Sequence, residues 1–324
     1  MQIVYIGNFQ HPFCTEVHIA SELEALGHRV SRLQEPPGGA DAGFLQTVDT
    51  TVARKNAGLV LFTRTWGLPR QATQLWRRLE DRGVVTASYH LDLYVGLRRE
   101  RGLRGDPFWT TQHVFTPDGD PESARVFERY GISHHWQPPA VVSSETGVGR
   151  PRPAFDYDVV FVGSRQYHSE WPWRVQLLDH LEARYGDRFR RFGGDTSWGR
   201  NPNPRPVRNG NLNDLYATAR VVVGDSLCLP GHVNYWSDRP YETVGRGGFL
   251  LMPAVPGLDE HFVDGEHLRY YDVGDLDSVD DLVDHYVAHP AEAREIAENG
   301  RAHVRAHHTY RHRLAGALDV MGLE

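Results

Sequence analysis

Residues 237–249 read SDRPYETVGRGGF and run on through LLMPAVPG. Ser237 or Asp238 can cap a helix start, and Pro240 fits a first turn, where its missing N–H is not needed. Gly247 and Gly248 can end that helix, because glycine accepts the left-handed geometry of a C-cap. FLLMP then reads as a short buried strand stopped by Pro253. A helix feeding a strand in this way is the punctuation of an α/β unit. Arg239 and Glu242 stand three residues apart on the first turn, on one face. The amino end of a helix presents free N–H groups to an anion, and an arginine there adds charge for phosphate. A glutamate one turn later can accept from ribose hydroxyls. The same two residues can also form an ordinary surface ion pair.

The alternation extends in both directions. Towards the amino terminus, strand-like runs at 3–7, 29–35, 58–64, 84–90 and 113–118 are separated by helical stretches near 15–28, 41–56, 69–83 and 121–130. The polar segment SSETGVGRPRPA (143–154) has the composition of a linker. The pattern then restarts, with strands expected at 157–164, 188–194, 220–226, 249–253 and 267–272. Helices are expected at 171–186, 211–219, 275–289 and 290–308. Strands alternating with helices imply parallel sheets covered on both faces. The expectation is an α/β protein of two facing Rossmann-like domains with a ligand cleft between them. The domains are placed at 1–145 and 146–310, with a terminal helix at 311–324 packing back toward the first.

The bulk numbers agree. A chain of 324 residues is long for one core. A formal charge of −7 argues against indiscriminate nucleic-acid binding. The basic residues are arginines apart from Lys55. Cys14 and Cys228 form no disulfide framework, which fits a reducing cytoplasm. No apolar run approaches the roughly 20 residues of a membrane span, and MQIVYIGNF reads as a first strand rather than a signal peptide.

From residue 156 onward the chain resembles a known family. YDVVFVGS, LNDLYATARVVVGDS, RPYETVGRGGFLLMPAVPGLDEHFVDGEHLRYYD and ENGRAHVRAHHTYRHR look like the C-terminal domain of CgeB-like, spore-maturation-type glycosyltransferases. The opening IVYIGNFQHPFCTEVHIASELEALGHRV is similar, more loosely, to glycosyltransferases of actinobacterial phages. The resemblance implies the GT-B fold and a nucleoside-diphosphate-sugar co-substrate. No cofactor is expected, and an anion-binding helix end with an arginine can stabilise the leaving diphosphate without a metal. The resemblance also implies that Glu242 holds the donor ribose and that Arg239 faces the diphosphate. Gly163, Ser164 and Arg165 would approach the phosphates or the base. Related enzymes carry a second glutamate eight residues before the ribose glutamate; here Asn234 stands there, which leaves sugar recognition open.

Glycosyl transfer also needs a group to take the acceptor's proton, and His and carboxylates serve best. Active residues of parallel sheets gather beyond the strands' carboxyl ends. His90 and Asp92 in SYHLD are candidates for the base, with His11 as a third; each can equally be a loop hydrogen bonder. HHTYRHR offers His308 and His312 at a spacing compatible with zinc, but without the glutamate of a zinc-protease motif. It reads instead as a terminal helix. The run RRERGLRG (98–105) can hold an anionic acceptor, including hydroxymethylated DNA, or can be solvated surface. A transferase acting on proteins or small glycosides, an inactive donor-binding module and a nucleotide-sugar epimerase are the other readings. A cytoplasmic location is expected, that of the host if the chain is phage-encoded.

Overall fold

The computed structural model describes residues 1–166, 168–193, 207–208 and 210–323. They form two compact units, Met1–Val142 with Tyr310–Glu324, and Ser143–Thr309. The polar, proline-rich stretch WGRNPNPRPVRNGN (198–211) lies largely outside the described residues.

The first unit is built on six parallel strands. They are β1 (Gln2–Gly7), β2 (Arg29–Gln34), β3 (Leu59–Phe62), β4 (Val85–Tyr89), β5 (His113–Thr116) and β6 (His134–Trp136), ordered β2-β1-β3-β4-β5-β6. Both faces are covered, so the inner strands read as continuous apolar runs rather than alternating ones. The pleat still sorts them. Val4, Ile6, Val60 and Phe62 pack with Val48 and Val52 of α2 (Ala42–Lys55) and Leu75 and Trp76 of α3 (Ala72–Glu80). Ile3, Tyr5, Leu59 and Leu61 face the other way, onto Ile19 and Leu23 of α1 (Thr15–Ala25). A further helix, α4 (Pro121–Arg129), starts under Asp120, whose carboxylate accepts from the N–H groups of Glu122 and Ser123. β6 lies within HHWQPPA, where three residues with two histidines gave no strand pattern to read.

The second unit holds five parallel strands. They are β7 (Val159–Val162), β8 (Phe189–Phe192), β9 (Val221–Val223), β10 (Leu250–Pro253) and β11 (Arg269–Tyr271), ordered β11-β10-β9-β7-β8. One face is covered by α5 (Trp173–Tyr185), α8 (Leu276–Ala288) and the start of α9 (Pro290–His307), through Leu177, Leu181, Val279, Val283 and Ile296. Two shorter helices, α6 (Gly210–Thr218) and α7 (Arg239–Gly245), complete the unit, and α7 packs on α9. α7 is the helix of the opening stretch; Gly247, at φ +84°, supplies the left-handed residue that lets the chain turn into β10. After α9 the chain returns to the first unit as α10 (Tyr310–Val320), which lays Tyr310, Leu314 and Leu318 on the α1 side of that sheet.

The break between α9 and α10 separates the histidines of HHTYRHR. His308 closes α9 and α10 begins at Tyr310, so His308 and His312 do not share one helix. His308 Nε2 instead meets His303 Nε2 at 3.0 Å. Among the described residues no His, Cys, Asp or Glu cluster has the makings of a metal site. None of their helices is long and apolar enough to cross a membrane.

Candidate functional site

In the second unit the strands' carboxyl ends share one edge, and the loops after β7 and β9 leave it beside Arg239 of α7. Gly163 follows β7 and Gly224 follows β9. Arg239 lies across both. Its Cγ is 3.0 Å from where a Cβ on Gly224 would stand, and its Nη2 is 3.1 Å from that of Gly163. Gly163 has φ +145°, and any side chain at either position would crowd the arginine. The guanidinium lies 5.5 Å from the centroid of Phe161. Its Nε is buried with no hydrogen-bond partner among the described residues. A buried donor left unmade is costly, so such a group is the exception that calls for a ligand or a reason.

Asp225, next after Gly224, is fully buried. It accepts from Trp171 Nε1 at 3.0 and 3.1 Å and from Arg174 Nε at 2.7 Å. Burial pushes its carboxyl pKa up, opposed first by Arg174 and more weakly by Arg239. Asp225 is thus matched to Arg174, and Arg239 keeps charge to offer. α7 has only seven residues, so little macrodipole adds to that charge. Its start is also simpler than the sequence suggested. Asp238 sits at the N-cap with no side-chain capping bond, and Ser237 donates its backbone N–H to Ser226 Oγ at 2.9 Å.

Glu242 does not pair with Arg239. Arg246, one turn further along, donates from Nε to Glu242 Oε2 at 2.9 Å. The same guanidinium binds Asn213 Oδ1 at 2.7 Å and Glu145 Oε2. Arg246 is only 3% exposed while Glu242 keeps 20% of its side chain in solvent. The arginine therefore fixes the carboxylate and leaves one side of it accessible. Asn234 adopts a left-handed φ of +54°, bonds its N–H to Pro256 O at 2.9 Å, and lays its side-chain oxygen on Gly257. Ser164 follows Gly163 half-buried. Arg165 turns away into a bidentate bond with Asp179 on α5, at 2.6 to 3.1 Å.

The first unit treats its candidates differently. His90 Nδ1 accepts from the N–H groups of Leu91 and Asp92 at 2.9 and 3.0 Å, and Nε2 meets Tyr94 Oη at 3.0 Å. Desolvation pulls its pKa down to about 3. With both nitrogens engaged the ring is a neutral fixture of its loop, a poor base at neutral pH. Asp92 is bound to Arg99 at 3.1 Å. His11 is exposed on the loop after β1, its ring stacked on Phe13 at 5.1 Å. Of the basic run, Arg99 folds over Tyr94 and Arg104 over Tyr130, so these two are drawn onto their own unit.

Sequence reasoning missed Asp225, Trp171, Arg174, Arg246 and Glu145. Arg246 carried a signal, since it stands four residues after Glu242 in the opening stretch. Asp225 carried a weaker one, a carboxylate at the carboxyl end of an expected strand.

Comparison with known proteins now adds to this geometry. Residues 165–319, a little under half of the chain, match a family described as glycosyl transferase-like. No curated protein matches the sequence. Solved structures match over nearly the whole chain. A sucrose-phosphate synthase from Thermosynechococcus elongatus aligns over 100% of this chain and 99% of its own, at 13% identity and TM-score 0.62. A glycosyltransferase from Rickettsia africae aligns over 98% and 97%, at 10% identity and 0.64. Anabaena Alr3699/HepE, solved with UDP-glucose, aligns over 99% of both chains, at 12% identity and 0.65. The two parallel α/β sheets are those of the GT-B fold.

Proposed function

We propose that this chain, a glycosyltransferase of the GT-B fold, moves a sugar from a nucleoside diphosphate to an acceptor hydroxyl, with the donor seated on Arg239 and Glu242. The observation that carries this reading is Arg239, a cation with an unsatisfied buried Nε held over two glycine-lined loops. A diphosphate there meets a preset charge that strengthens as negative charge builds on the leaving group. Glu242, fixed by Arg246 and open on one side, suits a pair of ribose hydroxyls. HepE, similar in fold, is described in complex with UDP-glucose, which supports a uridine donor among those to be tried. The motifs quoted from residue 156 onward support the finer likeness to CgeB-like enzymes, and the looser likeness of the opening residues supports a phage-type kinship. Asn234, tied to the loop after β10, is assigned to the sugar end of the donor. Gly163 and Ser164 are assigned to its phosphates, and Arg165 is left out because Asp179 holds it.

For the acceptor's proton the contacts favour His11 over His90 and Asp92. His90 is saturated by hydrogen bonds and Asp92 is tied to Arg99, whereas the His11 ring stands in solvent. The charge facing the leaving group is assigned to Arg239, so transfer is expected to be metal-independent.

The test is release of free nucleoside diphosphate from UDP-, GDP-, ADP- and dTDP-sugars, with and without hydroxymethylated DNA, protein or small-glycoside acceptors. Release that collapses in Arg239→Met supports the reading. Binding of a donor with no release under any acceptor would leave only an inactive module.

A further inference from the structure

The second unit has a cavity at the opposite, amino-terminal ends of its strands. Its walls include Arg220, which precedes β9, and Phe249, which precedes β10, whereas Gly163 and Gly224 follow their strands. Its volume is about 490 Å³, the size of a small-molecule site. None of the residues assigned to the donor lines it. The inner wall is apolar, formed by Phe249 with Ala293 and Ala297 of α9. Across from it, Ala217 of α6 is half-buried.

One polar group is out of place in this setting. Arg301, on the same face of α9, lines the cavity, and its Nε is buried without a hydrogen-bond partner among the described residues. The other arginines there are committed. Arg220 is bound to Asp158, and Arg294 donates from Nε to Pro290 O at 3.1 Å. The stem of Arg301 runs beside Gly247, its Cδ 3.5 Å from where a Cβ on that glycine would stand. A guanidinium has donors in a fixed fork that matches a carboxylate or phosphate. An apolar wall beside it selects an anion that also carries a ring.

We propose that this cavity is a second ligand site, for a small organic anion with a flat apolar body, its acid group on Arg301 and its ring against Phe249 and Ala297. The site is separate from the donor site, so either can stand without the other.

Phenyl phosphate is the probe, titrated calorimetrically into the full chain. The expected result is saturable binding that weakens at least tenfold in Arg301→Met, which keeps the stem and removes the fork. Binding should persist in Arg239→Met, which disables the donor site instead. Ala217→Phe, which fills the cavity and leaves Arg301 in place, should also abolish it, and serves should Arg301→Met fail to fold. Benzyl alcohol and inorganic phosphate, each lacking half of the recognised chemistry, should bind at least tenfold more weakly. The proposal is overturned by no saturable binding, by binding that survives both Arg301→Met and Ala217→Phe, by loss in Arg239→Met alone, or by inorganic phosphate binding equally well.

Discussion

Both sheets end in loops that carry polar side chains, but His90 and Arg239 resolve their polarity in opposite ways. Beyond β4, His90 has both ring nitrogens engaged within its own loop and cannot easily take a proton. Beyond β7 and β9, Arg239 is held by glycine backbone and a phenylalanine ring, and its buried Nε is left unmade. The first arrangement stabilises a loop. The second keeps a hydrogen-bonding group in reserve. The lesson is that position at a strand's carboxyl end selects candidates, and the state of their hydrogen bonds decides among them.

The sharpest way to break this comparison is to remove the reserve. Arg239→Met should lower kcat/KM for donor turnover by on the order of 100-fold or more, the cost of losing a preset donor to a charge that develops in the transition state. Steady-state assay of nucleoside diphosphate release reads it, and an unchanged value would place the diphosphate elsewhere. Arg246→Leu comes next and acts on stability. It leaves Glu145 and Glu242 without their cation, and breaking a buried pair in this way costs about 3–5 kcal/mol. Chemical denaturation should show that loss. Glu242→Gln keeps the shape and removes the charge. It should raise KM for the donor about tenfold with a smaller change in kcat, if the carboxylate serves binding equally in ground and transition states.

His90 supplies a test through pH. Its folded pKa of about 3 lies below the ordinary value of 6.5. The unfolded chain therefore binds more protons between those limits, so stability falls as pH drops from about 6.5 towards 3. Melting curves across that range should flatten in His90→Gln. Its turnover at neutral pH should stay within a few-fold of wild type, while His11→Ala should lose much more. Smallest of all, EDTA should leave transfer unchanged, because the charge at the leaving group is assigned to Arg239.

Much of this was readable from residue order. The alternation of apolar runs with capped helical stretches gave two parallel sheets, because strands buried on both faces must be apolar throughout. β6 was not readable, since HHW offers neither length nor alternation. Within the opening stretch, the helix, its glycine exit and Arg239 were legible. The partner of Glu242 was not assigned, although the i,i+4 spacing to Arg246 was present. What settled it was Asn213 and Glu145, which fold brings to Arg246 from distant sequence. The saturation of His90 was beyond reach for the same reason. It depends on two backbone N–H groups turning back on the ring, and on Tyr94 closing the other side.

The most direct measurement is calorimetric binding of UDP and UDP-glucose to the full chain and to Arg239→Met, with the other nucleoside diphosphates as a panel. At least one nucleoside diphosphate should bind the wild type and lose most of its affinity in the variant, with the fold intact by melting temperature. Equal binding by both proteins would contradict it, and would move the donor away from the edge where Gly163, Gly224 and Arg239 meet.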